Sequence, residues 1–233
     1  KWLSDPVGGN GEARELVKIC GAATRVKVAT WNTTALLSAA DPEASRRREK
    51  LVDSLLVGNH ILMLQETHED NISMYRFGER RDRTHLSHLS SHSNPNAGGV
   101  MTLLGKQLIG AATLLPVEVL VSGRVTVSSI VDGQSQYSFV NIHNFGLSSG
   151  QKLFVKQRIQ KLYAEAQSDP SGLSFVVVGG DLNVLARGEV PTKINTDLSG
   201  DHALPGFVQS NATLASEQKV WEQTLSGLTE VFQ

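Results

Sequence analysis

The stretch that decides the fold is Ile61-Leu62-Met63-Leu64-Gln65-Glu66-Thr67. Four apolar residues in a row read as a short strand buried on both faces. The run then stops abruptly at an amide, a carboxylate and a hydroxyl. The same design recurs along the chain. Val26-Lys27-Val28-Ala29-Thr30 alternates with period two and leads into Trp31-Asn32. Tyr137-Ser138-Phe139-Val140-Asn141-Ile142 leads into His143-Asn144. Phe175-Val176-Val177-Val178 leads through Gly179-Gly180 into Asp181-Leu182-Asn183. Strand ends along one sheet edge can converge on one cleft. Carboxylate and amide oxygens collected there suit a hard ion such as Mg²⁺.

Between these strands lie further elements. Asp41-Pro42 opens a helix, with Asp as N-cap and Pro in the first turn, and Leu51, Val52, Leu55 and Leu56 fall on its apolar face. Two more strands cover residues 99–104 and 125–131, and Asp132-Gly133 marks a hairpin between the second of these and the strand at 137–142. Val155, Ile159, Leu162 and Ala166 recur at helical spacing, and residues 215–226 also look helical. Residues 85–92 carry His85, His88 and His92 among serines and read as a biased loop. Strands and helices mix throughout, which favours a layered α/β or α+β sandwich. The organisation expected is a polar, Gly-rich leader over residues 1–24 and one domain over 25–233.

Composition narrows the chemistry. Cys20 is the only cysteine, so neither an intrachain disulfide framework nor a thiolate metal cluster is available. The formal charge of −1 argues against a dedicated, nonspecific DNA-coating protein, whose affinity would come from phosphate neutralisation. No run approaches the roughly 20 apolar residues of a membrane helix, and no secretion signal is present. A soluble, intracellular protein with no obligate protein partner is expected. The first residue is Lys1, as expected of a fragment or a processed product.

In order, the strings Val28-Ala29-Thr30-Trp31-Asn32, Leu62-Met63-Leu64-Gln65-Glu66-Thr67, Gly98-Gly99-Val100, Gly123-Arg124-Val125, Val140-Asn141-Ile142-His143 and Val178-Gly179-Gly180-Asp181-Leu182-Asn183 resemble the endonuclease/exonuclease/phosphatase superfamily, which includes deoxyribonuclease I, exonuclease III and retrotransposon endonucleases. The resemblance covers about residues 25–233. It implies a four-layer αββα sandwich of two mostly antiparallel sheets, and a phosphodiester hydrolase acting on DNA or RNA with Mg²⁺, or Mn²⁺ in its place. It implies Glu66 as the main metal ligand with Asn32 beside it. Asp181 would orient or deprotonate the attacking water, Asn183 would hold a phosphate oxygen, and His143 would contact the phosphate. The basic cluster of Arg76, Arg80, Arg81 and Arg83 is a candidate substrate contact, the alternative being a solvated loop.

The chain also departs from that pattern. The family carries a late Ser-Asp-His string, whereas this chain runs to Leu228-Thr229-Glu230-Val231-Phe232-Gln233 without one, and Asp201-His202 reads as a surface loop. Missing last strands and weak or no activity are therefore expected. Gly146 stands where apurinic-type nucleases often show Asn, so abasic-site specificity is not implied. The alternatives are a phospholipid or inositol-phosphate phosphoesterase, or a non-catalytic remnant of a mobile-element endonuclease.

Overall fold

Side-chain parity along the strands explains how the chain folds into layers. In the computed structural model, which describes residues 26–37, 40–182, 219 and 221, the elements run β1 (Val28–Asn32), α1 (Pro42–Gly58), β2 (Ile61–Gln65), α2 (Asn71–Glu79), β3 (His85–Ser90), β4 (Val100–Gly105), α3 (Lys106–Ile109), β5 (Thr113–Leu114), β6 (Glu118–Val121), β7 (Val125–Asp132), β8 (Ser135–His143), α4 (Ser149–Gln167) and β9 (Phe175–Asp181). One sheet has the order β1-β2-β4-β3. The other has the order β5-β7-β8-β9, with β6 also paired to β7. The pairs β1/β2 and β8/β9 are parallel and the others antiparallel. The fold is α/β, with two mixed sheets flanked by helices.

Successive residues of a strand point to opposite faces. On β2, Ile61 and Met63 face the second sheet and pack with Tyr137, Phe139 and Val177. Leu62 and Leu64 face the other way, against Val52 of α1 and Met74 and Phe77 of α2. On β8 the division repeats. Tyr137 and Phe139 lie between the sheets, while Val140 and Ile142 meet Val155, Ile159 and Leu162 of α4. A fully apolar strand such as β2 is thus one covered by a sheet on one side and by helices on the other.

The helix ends follow their sequence signals. Asp41 accepts from the Ala44 amide at 2.9 Å, with Pro42 in the first turn of α1. Ser148 and Gln151 form a reciprocal capping box at the start of α4. Each cap contributes about 1 kcal/mol. Among the described residues no helix is long and apolar enough to cross a membrane.

One expectation is corrected. Residues 85–90 are not a loop but β3, paired along its length with β4. Its polar residues have partners on both faces: the His88 Nδ1 lies 2.9 Å from Ser128 Oγ of the second sheet, and a methyl group added at Gly78 of α2 would collide with Ser87. Tertiary pairing here overrides a sequence with little strand propensity. Asp201, His202 and most of residues 215–226 lie outside the described residues; Lys219 and Trp221 are helical, and Trp221 is buried against the α4 core.

Between the sheets sits a buried polar bridge. Asn141 of β8 is fully buried; its Oδ1 accepts from Gln65 Nε2 at 2.7 Å. Its Nδ2 donates towards Leu64 O, Met101 O and Thr102 Oγ1 at 3.0 to 3.3 Å. Gln65 Nε2 also donates to Thr30 Oγ1 at 3.0 Å. Asn141→Leu would strand these buried groups without partners and should lower unfolding free energy by about 3 kcal/mol in urea titrations. An unchanged midpoint would show that the amide does not tie the sheets together.

Candidate active site

The four polar strand ends meet. Parallel pairing sets Asn32 beside Gln65, the residue before Glu66, in one sheet, and His143 beside Asp181 in the other. Across the gap between sheets, Asn32 Nδ2 donates to Asp181 Oδ2 at 2.7 Å. His143 Nε2 lies 3.2 Å from Glu66 Oε1. One ligand atom each from Glu66, His143 and Asp181 fall within 4.8 Å of one another. Asn32, Glu66, His143 and Asp181 are therefore together; Asn183 lies outside the described residues. The approach of β9 to β8 depends on Gly180, where a Cβ would collide with the Ile142 carbonyl.

Glu66 is aimed by its backbone. Its φ of +51° lies in the left-handed region, which costs a residue with a side chain about 1 kcal/mol or more. Its neighbours hold it there. The Glu66 carbonyl accepts from Thr33 Oγ1 at 3.0 Å and from the Ala35 amide at 2.9 Å. The following amides, Thr67 and His68, donate to Gly99 O and Gly98 O. The strand therefore ends in a bend that turns the carboxylate towards His143.

Arg124, which follows Gly123 at the start of β7, completes the cluster. It is 7 % exposed, and its Nη1 lies 2.7 Å from His143 Nδ1. A guanidinium can only donate, so Nδ1 accepts, which leaves a ring proton to Nε2, facing Glu66. That contact is short but off the line of a good hydrogen bond, since Nε2 has no aligned partner. The Glu66 carboxyl is held below its ordinary range. The contact with His143 is the main cause, partial burial opposes it, and the Asn32 amide adds to it. Burial pushes the Arg124 guanidinium down, and the charge of Glu66 counters that. Nothing in the sequence reading singled out Arg124 by role. Its signal is a lone charge heading an apolar strand.

The other predicted contacts lie elsewhere. Arg81 is not solvated: it is 8 % exposed, 2.7 Å from Asp53, and its guanidinium lies 3.7 Å from the Phe77 ring centre. Arg80 pairs with Glu49 at 3.0 Å. Both line a cavity with Thr84, His85 and Lys106. That cavity stands at the Ile61 end of β2, since His85 pairs with Gly105 and Leu104 with Ile61. Five strand residues, or roughly 16 Å, separate that end from Glu66. Arg76 stands in the last turn of α2. The structure thus does not bring Arg80 and Arg81 to the carboxylates; they fasten α2 to α1. His85 and His88 occupy opposite faces of β3 and share no ion site.

The donor set fits a hard divalent ion. Glu66 and Asp181 offer carboxylate oxygens at a half-buried mouth, and Mg²⁺ commonly takes one or two such groups and keeps its remaining waters. In the tautomer set by Arg124, the His143 Nε2 carries the ring proton and stands 3.2 Å from Glu66 Oε1. Asn32 Oδ1 already accepts from the Thr34 amide at 3.0 Å, leaving one lone pair for a metal.

A carboxyl whose folded pKa is depressed contributes stability above its unfolded value and loses it as pH falls through the folded value. For Glu66 the reference is 4.5. The stability difference between wild type and Glu66→Gln should be constant from about pH 6 to about pH 5, then shift in favour of the variant as pH falls further. Urea unfolding at about pH 6 and about pH 3.5 measures it; a pH-independent difference would contradict the assigned contact.

No protein-family model matches this chain, and no curated protein does. Similar solved structures include TDP2 from Caenorhabditis elegans, at 17 % identity and a TM-score of 0.46, covering 71 % of this chain and 50 % of that one. The 3′ phosphatase NExo from Neisseria, bound to a product DNA hairpin, is 17 % identical with a TM-score of 0.42, covering 67 % of this chain and 57 % of that one. The human Nocturnin catalytic domain with bound sulfate is 15 % identical with a TM-score of 0.43, covering 67 % of this chain and 64 % of that one. This chain spans about half the length of the C. elegans protein.

Proposed function

We propose that this chain is a phosphodiester hydrolase that acts on nucleic acid with Mg²⁺, Mn²⁺ being able to replace it. One observation carries the reading: Glu66 and Asp181, from different sheets, present carboxylates within 4.8 Å of each other and of His143 at one mouth. Two acids so close in a soluble fold are mutually unfavourable without a cation or donors between them. The order of motifs along the chain supports the same chemistry.

A bound divalent ion would neutralise charge on the phosphoryl oxygens and lower the pKa of a coordinated water. Glu66, held by its left-handed backbone, would be the principal ligand. Asn32 holds Asp181 through Oδ2, and the Asp181 carboxylate would orient the attacking water and take its proton. His143 would contact the phosphate, as the resemblance implies; its Nε2 stands 3.2 Å from Glu66, and Arg124 contacts its Nδ1. The Arg124 charge, largely out of water, favours an anion at the same place. Asn183 is the remaining candidate for a phosphate contact.

A cleavage assay on plasmid DNA, RNA and an inositol phosphate, with and without Mg²⁺, tests the proposal. Glu66→Ala and Asp181→Asn should each reduce kcat/KM by roughly 10²- to 10³-fold, as expected when a group that stabilises the transition state is removed. Calorimetry should show Mg²⁺ uptake by the wild type that Glu66→Ala loses. Uptake absent at about 10 mM Mg²⁺, far above the affinity a working site needs, would overturn the metal assignment.

A further inference from the structure

Phe145 is an exposed aromatic that the fold does not require. It follows His143 by two residues, just past the end of β8, and remains 60 % exposed. Its flanks are fixed. Asn144 is 3 % exposed, donates from Nδ2 to Leu182 O at 2.6 Å, and its amide donates to Asp181 O at 2.8 Å. Leu147 is buried, and its amide donates back to Asn144 O at 3.3 Å. Gly146, with φ of +76°, occupies the turn position that demands a left-handed residue. Phe145 therefore sits on the tip of a tight turn whose two ends are anchored in the core. Its ring lies parallel to His143, with 6.2 Å between centres and 17° between planes, and Arg124 approaches it at 5.7 Å. His143 and Arg124 are bonded to each other, and Phe145 is largely exposed.

A rigid, solvated aromatic ring next to a phosphate-handling histidine has one ligand chemistry that suits it. A nucleobase can stack on its open surface while the attached phosphate reaches His143 and Arg124. Stacking of this kind tolerates any base, because every base has a π-face. It requires a base not already stacked on both sides, hence an unpaired one. The cations that might have tracked a duplex backbone, Arg80 and Arg81, are committed to Glu49 and Asp53 instead. Inositol phosphates and lipid headgroups have no flat π-surface to offer.

We infer that Phe145 is a base-stacking, specificity-determining residue that selects an unpaired nucleotide beside the reacting phosphodiester. The inference rests on the hydrolase reading above and names its substrate class as single-stranded nucleic acid or an unpaired strand end.

The test uses the whole 233-residue chain and two dye-labelled strands of equal length and charge, one of thymidines and one of base-free abasic sites. Fluorescence anisotropy gives the affinity for each. Phe145→Ala should weaken binding of the thymidine strand by roughly 5- to 150-fold, the loss expected for one stacked base, and leave the base-free strand within about twofold. Phe145→Trp should retain the wild-type preference. Equal loss for both strands, no loss for either, or no preference in the wild type would each overturn the inference. Cleavage assays separate this from the hydrolase reading. Cleavage that needs Glu66 but is indifferent to Phe145 sinks the stacking role alone. A base preference that depends on Phe145, in a chain that cleaves nothing, sinks the hydrolase reading alone.

Discussion

The bond between Gln65 and Asn141 governs how the two sheets meet. Each amide follows large apolar residues on the inner face of its strand, Ile61 and Met63 before Gln65, Tyr137 and Phe139 before Asn141, and each is almost wholly buried. Apolar contacts alone would tolerate a slide of one sheet over the other. Two buried amides do not, because a slip leaves donors and acceptors without partners in a medium that cannot replace them. Their pairing fixes what comes next. Glu66 is one residue beyond Gln65 and His143 two residues beyond Asn141, so the bridge delivers both to the same mouth. Asp181 arrives through its register with His143.

Within that mouth the charges are arranged in a chain, not a pile. Arg124 faces His143, His143 faces Glu66, and Asn32 joins the Glu66 side to Asp181. Arg124 and Asn32 are hydrogen-bonded to the groups they face, and His143 stands in contact with Glu66. This is the condition under which burial strengthens an electrostatic site instead of neutralising it.

Much of this was legible in the sequence. Apolar strands that stop at Asn32, Gln65-Glu66, His143 and Asp181 announced both the layers and the convergence, because burial on two faces removes polar residues from a strand until its end. What was illegible has physical causes. The segment His85–Ser90 alternates histidine and serine with only two leucines, and its strand character comes from its partner β4. The Arg76–Arg83 run looked free because its acids, Glu49 and Asp53, sit on another helix about thirty residues earlier. Arg124 was visible as a letter in a motif, but its part in setting the histidine tautomer exists only in three dimensions. The φ of Glu66 has no sequence signal at all.

That backbone angle has an evolutionary corollary. A residue with a side chain is a poor occupant of the left-handed region, and glycine would sit at position 66 with less cost. Selection for robust folding alone should therefore erode the acid, and a lineage in which the chemistry had lapsed would be expected to drift to glycine or asparagine there. A glutamate there carries a backbone cost that only its side-chain contacts can offset.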